Sequence, residues 1–245
     1  MSKQKGGIEI LFLIIVALCA LMFVNGFYIN PSQLSQQQSG VHPVAPPCPT
    51  DVEAQIQSTF HIIVYNNVGG TKRPDEDCWM WKKFWDISNT KFFSLIPQGY
   101  NIYIGLNQYN STFPYSKTFY TGKVTWLENY DDELQFNIIL LHELGHTIDH
   151  YNADSLSHGS THITVWSQEG GITQYGIYGS VKCDFVNKAT AQDEDYAEMI
   201  TYYLNPTGPE STACGGDHLH DGENPYDHAR YPLHKNLAQQ IIGLY

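Results

Sequence analysis

Hydrophobic and polar positions along the first half of the chain follow the periods of strands and helices. Residues 59–65 are rich in β-branched and apolar side chains and predict a strand, and 100–106 predict another. The stretch 118–127 alternates in polarity, which predicts a strand at the edge of a sheet. Between the first two strands, 75–96 predict a helix whose aromatic side chains we expect to pack in the core.

The second half of the chain predicts three helices. The first covers 137–151 and begins as an apolar run, with Asp131 and Asp132 before it as candidate N-caps. An amphipathic helix is predicted at 193–204, with acidic residues at its start, where the helix dipole favours negative charge. A closing helix with one apolar face is predicted at 234–245.

The Gly-, Ser- and Tyr-rich stretch 156–188 lies between the first two of these helices and predicts mainly loop. Together the elements predict an α+β fold. Its parts are a small mixed sheet, a central helix beneath the edge strand of the sheet, and a helical C-terminal half.

The N-terminal composition predicts a protein that leaves the cytosol. Residues 1–26 join a short basic start to an apolar run, which is typical of a signal peptide, and a signal anchor is the alternative. Residues 27–49 are rich in Pro, Gln and Ser and predict a linker, while 50–245 suffice for one well-packed domain. We expect a secreted monomer, bound to a membrane only if the first segment stays uncleaved. The formal net charge of −12 disfavours nucleic acid as a partner.

Cysteine usage agrees with an oxidising compartment. Four cysteines lie outside the N-terminal segment, and an even number in a secreted chain predicts two disulfides. Three pairings are possible, and proximity in sequence favours Cys48 with Cys78 and Cys183 with Cys214. Asn110 begins an Asn-Ser-Thr sequon, so its loop is a candidate glycosylation site facing solvent.

The central helix carries the sequence His-Glu-Leu-Gly-His at 142–146. His142 and His146 are four residues apart, so one face of a helix presents both imidazoles to one divalent ion. Zinc accepts such nitrogens and, in a catalytic site, leaves a position for water, which Glu143 can deprotonate. The glycine inside the motif, Gly145, predicts that another backbone packs closely against the helix.

A catalytic zinc site needs a third protein ligand, and the residues alone leave more than one choice. His150 lies on the same helix, although the Gly-enabled turn of three-histidine sites is absent. Glu194 and Glu198 lie one turn apart on the downstream helix, so one can bind the ion while the other orients a histidine. His158, His162 and the stretch 217–221 are weaker candidates for a second ion.

Three segments resemble one known family. The stretch 142–151 (HELGHTIDHY) resembles the HExGHxxDxY motif of the catalytic domain of anthrax lethal factor and its relatives, which include bacterial Pro-Pro endopeptidases. Residues 169–176 are similar to the EG…(L/I)TxYG segment of that family, and 194–198 (EDYAE) to its ExFAE helix. The resemblance covers about 118–245, and the motifs occur in the order of the family.

The resemblance implies a set of roles around a single zinc ion. His142, His146 and Glu194 would bind the ion, and Glu143 would be the general base. Glu198 would lie behind the ligands.

The same resemblance implies two further roles. Asp149 would support the helix or a histidine, and Tyr175 would stabilise the tetrahedral oxyanion. The chain departs from the family between Tyr175 and Glu194, where it has an insertion that includes Cys183. Tyr178 is therefore the alternative to Tyr175.

The expected fold is a gluzincin-like metallopeptidase domain, and the expected function is that of a secreted zinc endopeptidase acting on a protein or peptide. The alternative is a secreted, catalytically silent binding protein that keeps the zinc site for stability or for gripping a partner.

Overall fold

A computed structural model describes most of the chain beyond the predicted linker. The described residues are 45–68, 73–105, 117–119, 124–128, 130–152, 154–173, 176, 188–206, 224–226 and 231–243. Several predictions of the sequence analysis lie outside these residues: the signal segment 1–26, most of the linker 27–49, Asn110, Tyr175, Tyr178, Cys183 and Cys214.

The described residues form seven helices and four strands. The helices are α1 (Val52–Phe60), α2 (Pro74–Asp86), α3 (Phe92–Leu95), α4 (Glu133–Tyr151), α5 (Ser160–Glu169), α6 (Lys188–Leu204) and α7 (Pro232–Ile242). The strands are β1 (Ile62–Val68), β2 (Tyr100–Gly105), β3 (Lys117–Phe119) and β4 (Val124–Leu127). No described helix is long and apolar enough to cross a bilayer.

The strands form one mixed sheet in the order β1–β2–β4–β3. β1, β2 and β4 are parallel, and β3 pairs with β4 in the antiparallel direction. The predicted small mixed sheet and the α+β class are therefore confirmed. The single edge strand predicted at 118–127 is wrong in detail, because this stretch contains the two strands β3 and β4. Of these two, β3 lies at an edge of the sheet and β4 does not.

The core lies between one face of the sheet and the helices. Ile102 and Ile104 on β2 are fully buried, together with Phe84 on α2 and Phe136 on α4. Phe92 at the start of α3 is fully buried as well, so the aromatic residues of this region pack in the core as predicted. The predicted disulfide between Cys48 and Cys78 is present, with 5.5 Å between the Cα atoms, and joins the segment before α1 to α2.

Several of the predicted elements have different bounds in the structure. The strand predicted at 59–65 begins only at Ile62, because the preceding residues belong to α1, whose two buried positions, Ile56 and Phe60, are one turn apart. The helix predicted at 75–96 is divided into α2 and α3. The hydroxyl of Thr90 donates to the carbonyl of Ile87 and accepts from the N–H of Phe92, so it replaces helical hydrogen bonds at the break.

The prediction of mainly loop over 156–188 is wrong for 160–169, which form α5. This helix buries only His162 and Val165, so its apolar signal is too weak to stand out in the sequence. The predicted helix at 193–204 begins earlier, at Lys188, and ends at Leu204 before Asn205 and Pro206, as expected.

Candidate metal centre

The helix α4 presents the two histidines of the motif on one side. Its first turn is capped by Asp132, whose side chain accepts a hydrogen bond from the N–H of Gln135 at 2.8 Å. The Nε2 atoms of His142 and His146 lie 3.1 Å apart, and their ring centroids are separated by 4.7 Å. The sequence prediction that one ion can reach both rings therefore agrees with the geometry.

The helix α6 brings Glu194 to the same point. Its Oε2 lies 3.1 Å from Nε2 of His142 and 3.5 Å from Nε2 of His146. A Cβ atom added at Gly145 would lie 2.9 Å from the Cα of Ala197, so α4 and α6 pack too closely for any larger residue there. The predicted close approach of another backbone at Gly145 is confirmed, and that backbone belongs to the helix that carries Glu194.

Burial and neighbouring charges shift the pKa values of His142 and Glu194 in opposite directions. Burial would lower the pKa of His142, but the hydrogen bond and charge of Glu194 outweigh it and raise the pKa to about 9. Burial would raise the pKa of Glu194, but hydrogen bonds with His142 and His146 hold it below its usual range. In the protein alone, the carboxylate therefore stays ionised and attracts positive charge.

The geometry fits a tetrahedral zinc ion. Ligand atoms at 2.0–2.1 Å from such an ion lie about 3.3 Å from one another. The three separations among His142, His146 and Glu194 are 3.1, 3.1 and 3.5 Å, close to that value. Two imidazole nitrogens and one carboxylate oxygen are also a donor set of catalytic zinc sites, which leave one position open.

The other candidates for the third ligand lie elsewhere. Nδ1 of His150 is hydrogen-bonded to Asp154, and its ring stacks on that of His146 with centroids 5.7 Å apart. Glu198 is buried, accepts a hydrogen bond from Thr173 and makes none with a histidine of the described residues. Burial raises the pKa of Glu198 to about 8. Among the three alternatives, only Glu194 reaches both motif histidines.

Glu143, the predicted base, is buried beside the ligands. Its Oε2 lies 2.8 Å from the hydroxyl of Thr118 on the edge strand β3. That hydroxyl is also 2.8 Å from the backbone carbonyl of Glu143. The strand β3 and the helix α4 therefore meet at the predicted base.

Asp149 supports the end of α4. It is fully buried, and its Oδ1 accepts hydrogen bonds from the N–H groups of Leu156 at 3.0 Å and Ser157 at 2.8 Å. These bonds hold the turn that follows the helix, which agrees with the supporting role predicted for Asp149. They do not involve a ligand histidine.

Gly176, the residue after Tyr175, packs against α6. A Cβ atom added at Gly176 would lie 2.9 Å from the Cβ of Asp195, and the indole of Trp166 donates to the carbonyl of Gly176 at 2.7 Å. The last residue of the segment 169–176 therefore contacts Asp195, which is next to Glu194.

A second cluster of ionisable groups was not predicted from the sequence. Asp195 turns away from Glu194, and its Oδ2 lies 3.0 Å from Nε2 of His162 and 2.8 Å from Nε2 of His234. Nδ1 of His234 lies 2.7 Å from Oε2 of Glu169. Burial would lower the pKa of His234, but Asp195 and Glu169 raise it to about 9.

Only His162 of this second cluster had been noted in the sequence, as a weak candidate for a second ion. The other weak candidate, His158, contacts Asp193 at 2.7 Å. Residues 217–221 lie outside the described part.

Comparison with known proteins does not assign a family. No family model, curated protein or solved structure matches the chain. The resemblance of the three motifs to the lethal factor family therefore remains a prediction.

Proposed function

We propose that the protein is a secreted zinc-dependent endopeptidase with a gluzincin-like catalytic domain. The observation that carries the proposal is the convergence of three ligand atoms, from His142, His146 and Glu194, within 3.1–3.5 Å of one another. The next residue after the first histidine, Glu143, supplies a buried carboxylate at the same place. This combination has no evident use in packing.

The residues around the ion have distinct roles in this proposal. His142, His146 and Glu194 hold zinc. When bound, zinc supplies Lewis acidity, which polarises a peptide carbonyl and lowers the pKa of water. Glu143 accepts a proton from the attacking water and later delivers it to the departing amine.

The substrate position follows from the sheet. The strand β3 is one of the two edge strands of the sheet, and Thr118 on it contacts Glu143. An extended peptide that pairs with this edge as an added strand lies beside the base. Tyr175, with Tyr178 as the alternative, is proposed from the resemblance as the donor to the oxyanion.

The compartment is part of the same proposal. The disulfide between Cys48 and Cys78 is typical of proteins outside the cytosol.

A cleavage profile tests the proposal. The protein, loaded with zinc, is incubated with a diverse peptide mixture, and products are identified by mass spectrometry. The Glu143→Gln variant is the inactive comparison, and Glu133→Gln is the matched control, because it makes the same change on the first turn of the same helix.

We expect cuts from the parent and Glu133→Gln proteins, abolished by a chelator and restored by zinc, and none from Glu143→Gln. Equal cutting by Glu143→Gln with zinc bound would contradict the mechanism. No cuts from the folded, zinc-loaded parent would favour the binding-protein alternative.

A further inference from the structure

A line of four buried hydroxyl groups ends on the carboxylate of Glu143. The hydroxyl of Thr147 lies 2.7 Å from that of Tyr100, which lies 2.8 Å from that of Thr125. The hydroxyl of Thr125 lies 3.0 Å from that of Thr118, which lies 2.8 Å from Oε2 of Glu143. The line joins β2, β4 and β3 to the helix α4.

All four hydroxyl residues are buried, with exposures of 1% for Tyr100, 7% for Thr118, 0% for Thr125 and 3% for Thr147. Each hydroxyl has a single hydrogen to donate. The hydroxyls of Thr118 and Thr147 also lie 2.8 and 3.0 Å from the backbone carbonyl of Glu143. The four hydrogens are therefore shared among the four contacts of the line and these two, and the carbonyl and an ionised carboxylate can only accept.

One donor order makes all four contacts of the line hydrogen bonds that run towards the carboxylate. In this order Thr147 donates to Tyr100, Tyr100 to Thr125, Thr125 to Thr118, and Thr118 to Oε2 of Glu143 instead of its backbone carbonyl. Hydrogen bonds arranged in one direction polarise and strengthen one another, most of all where the last acceptor carries a charge.

The line constrains only one oxygen of Glu143. Thr118 donates to Oε2 and not to Oε1. A carboxylate held by one oxygen keeps a fixed orientation and leaves its other oxygen available to accept a proton. A base whose orientation is fixed before the reaction gains rate without a cost at the moment of proton transfer.

We propose that Thr118 is a positioning residue for Glu143, with its own hydroxyl oriented by Thr125 and Tyr100. The inference rests on the proposed peptidase function. It adds a role for a residue that the motif HExxH does not contain, and it explains why the edge strand carries a buried threonine beside the base.

The test compares Thr118→Val with Thr118→Ser. Valine keeps the β-branched shape and removes the hydroxyl, whereas serine keeps the hydroxyl. Thr90→Val is the matched control, because Thr90 is a buried threonine with hydrogen-bonded hydroxyl far along the chain from Glu143. The substrate is the peptide that the parent cuts fastest in the cleavage profile.

We expect Thr118→Val to lower kcat about 10-fold or more, as for the loss of a hydrogen bond to a charged group, with KM within about twofold. Zinc affinity should be unchanged. Thr118→Ser should recover most of kcat, and Thr90→Val should leave both constants unchanged. A Thr118→Val protein with parental kcat would overturn the inference. Equal losses in the valine and serine variants, or loss of zinc, would also overturn it, because the role would then be structural.

A second readout does not depend on activity. Crystal structures of the zinc-loaded parent and Thr118→Val proteins report the orientation of the Glu143 carboxylate. One conformation in the parent and several in the variant support the inference, and the same single conformation in both contradicts it. If the parent cuts no peptide, the proposed function fails, and this structural comparison alone decides whether Thr118 positions Glu143.

Discussion

Adjacent residues of α6 serve two clusters that share a composition and differ in geometry. Glu194 meets His142 and His146, whereas Asp195 meets His162 and His234. Each cluster has two imidazoles that face one carboxylate of α6, and Glu169 adds a second carboxylate beside His234. The ring centroids are 4.7 Å apart in the first cluster and 6.2 Å apart in the second, and in both the three candidate ligand atoms lie within 4.8 Å of one another.

The two clusters differ in what the imidazole nitrogens of their histidines contact. In the second cluster, both nitrogens of His234 face carboxylate oxygens, at 2.7 and 2.8 Å, and can donate to both as an imidazolium. Nδ1 of His162 lies 2.8 Å from the carbonyl of Ser157. The ring nitrogens of both histidines in the second cluster therefore have hydrogen-bond partners within the protein. His162, Asp195 and His234 are also buried.

The side chains of the first cluster keep some exposure, 18% for His142, 12% for His146 and 23% for Glu194. These side chains can therefore be reached from solvent. Composition alone does not define a metal site, because the hydrogen bonds of the donor atoms and their access from solvent also differ between the two clusters.

The largest effect on folding is expected at the buried cluster. Asp195→Asn removes the charge that faces His162 and His234, and breaking a buried ion pair by removing one partner costs about 3–5 kcal/mol. Chemical denaturation of the variant and the parent measures the change in the free energy of unfolding. A loss well below 1 kcal/mol would mean that the cluster does not hold charges as described.

At the neighbouring residue, Glu194, we expect a substitution to affect zinc affinity more than folding. Glu194→Gln removes a ligand, so we expect zinc affinity to fall by more than about 100-fold, beyond the effect typical of residues behind the ligands. The variant should remain folded without zinc, because Glu194 is partly exposed. Competition with a chromophoric chelator measures the affinity, and Asp195→Asn is the control that should bind zinc more tightly than Glu194→Gln. Tighter zinc binding by Glu194→Gln than by Asp195→Asn would contradict the assignment of zinc to the first cluster.

A smaller effect is expected at the contact between α4 and α6. Gly145→Ala places a Cβ 2.9 Å from the Cα of Ala197, and backbone atoms cannot give way as a flexible side chain does. Overpacking of this kind costs about 1–3 kcal/mol. Zinc affinity should also fall, since Glu194 moves with α6, and a melt with and without zinc measures both. An unchanged zinc-dependent shift in Tm would show that this contact does not set the ligand distances.

A further effect is a dependence of stability on pH. The pKa of His234 is about 9 in the fold and about 6.5 when unfolded, so its contribution is fully present below pH 6.5 and is lost as pH rises through about 9. Denaturation of the parent and His234→Gln proteins between pH 6 and pH 10 measures it. We expect the parent to lose stability over this window more steeply than the variant. Parallel curves would contradict a protonated His234.

The sequence predicted those parts of the site that depend on local spacing. The two histidines and the base are separated by less than two turns of one helix, so their arrangement follows from helical geometry. The N-cap Asp132 and the close approach at Gly145 are local signals of the same kind. Glu194 was one of several choices until the resemblance singled it out, because its contact spans 52 residues.

Other features depended on tertiary contacts that no local pattern reveals. Asp195 and His234 are 39 residues apart, and each belongs to a helix whose sequence explains it as an ordinary polar position. The helices α1 and α5 each bury only two side chains, so the hydrophobic periodicity of their sequences is weak. The break between α2 and α3 depends on the hydroxyl of Thr90, whose hydrogen bonds replace helical ones.

The central claim is that the first cluster binds zinc and the second does not. Anomalous diffraction from crystals of the zinc-loaded protein, recorded on both sides of the zinc absorption edge, tests it most directly. We predict one peak among the ligand atoms of His142, His146 and Glu194, and none beside Asp195. A peak at Asp195, or none at the first cluster, would contradict the account.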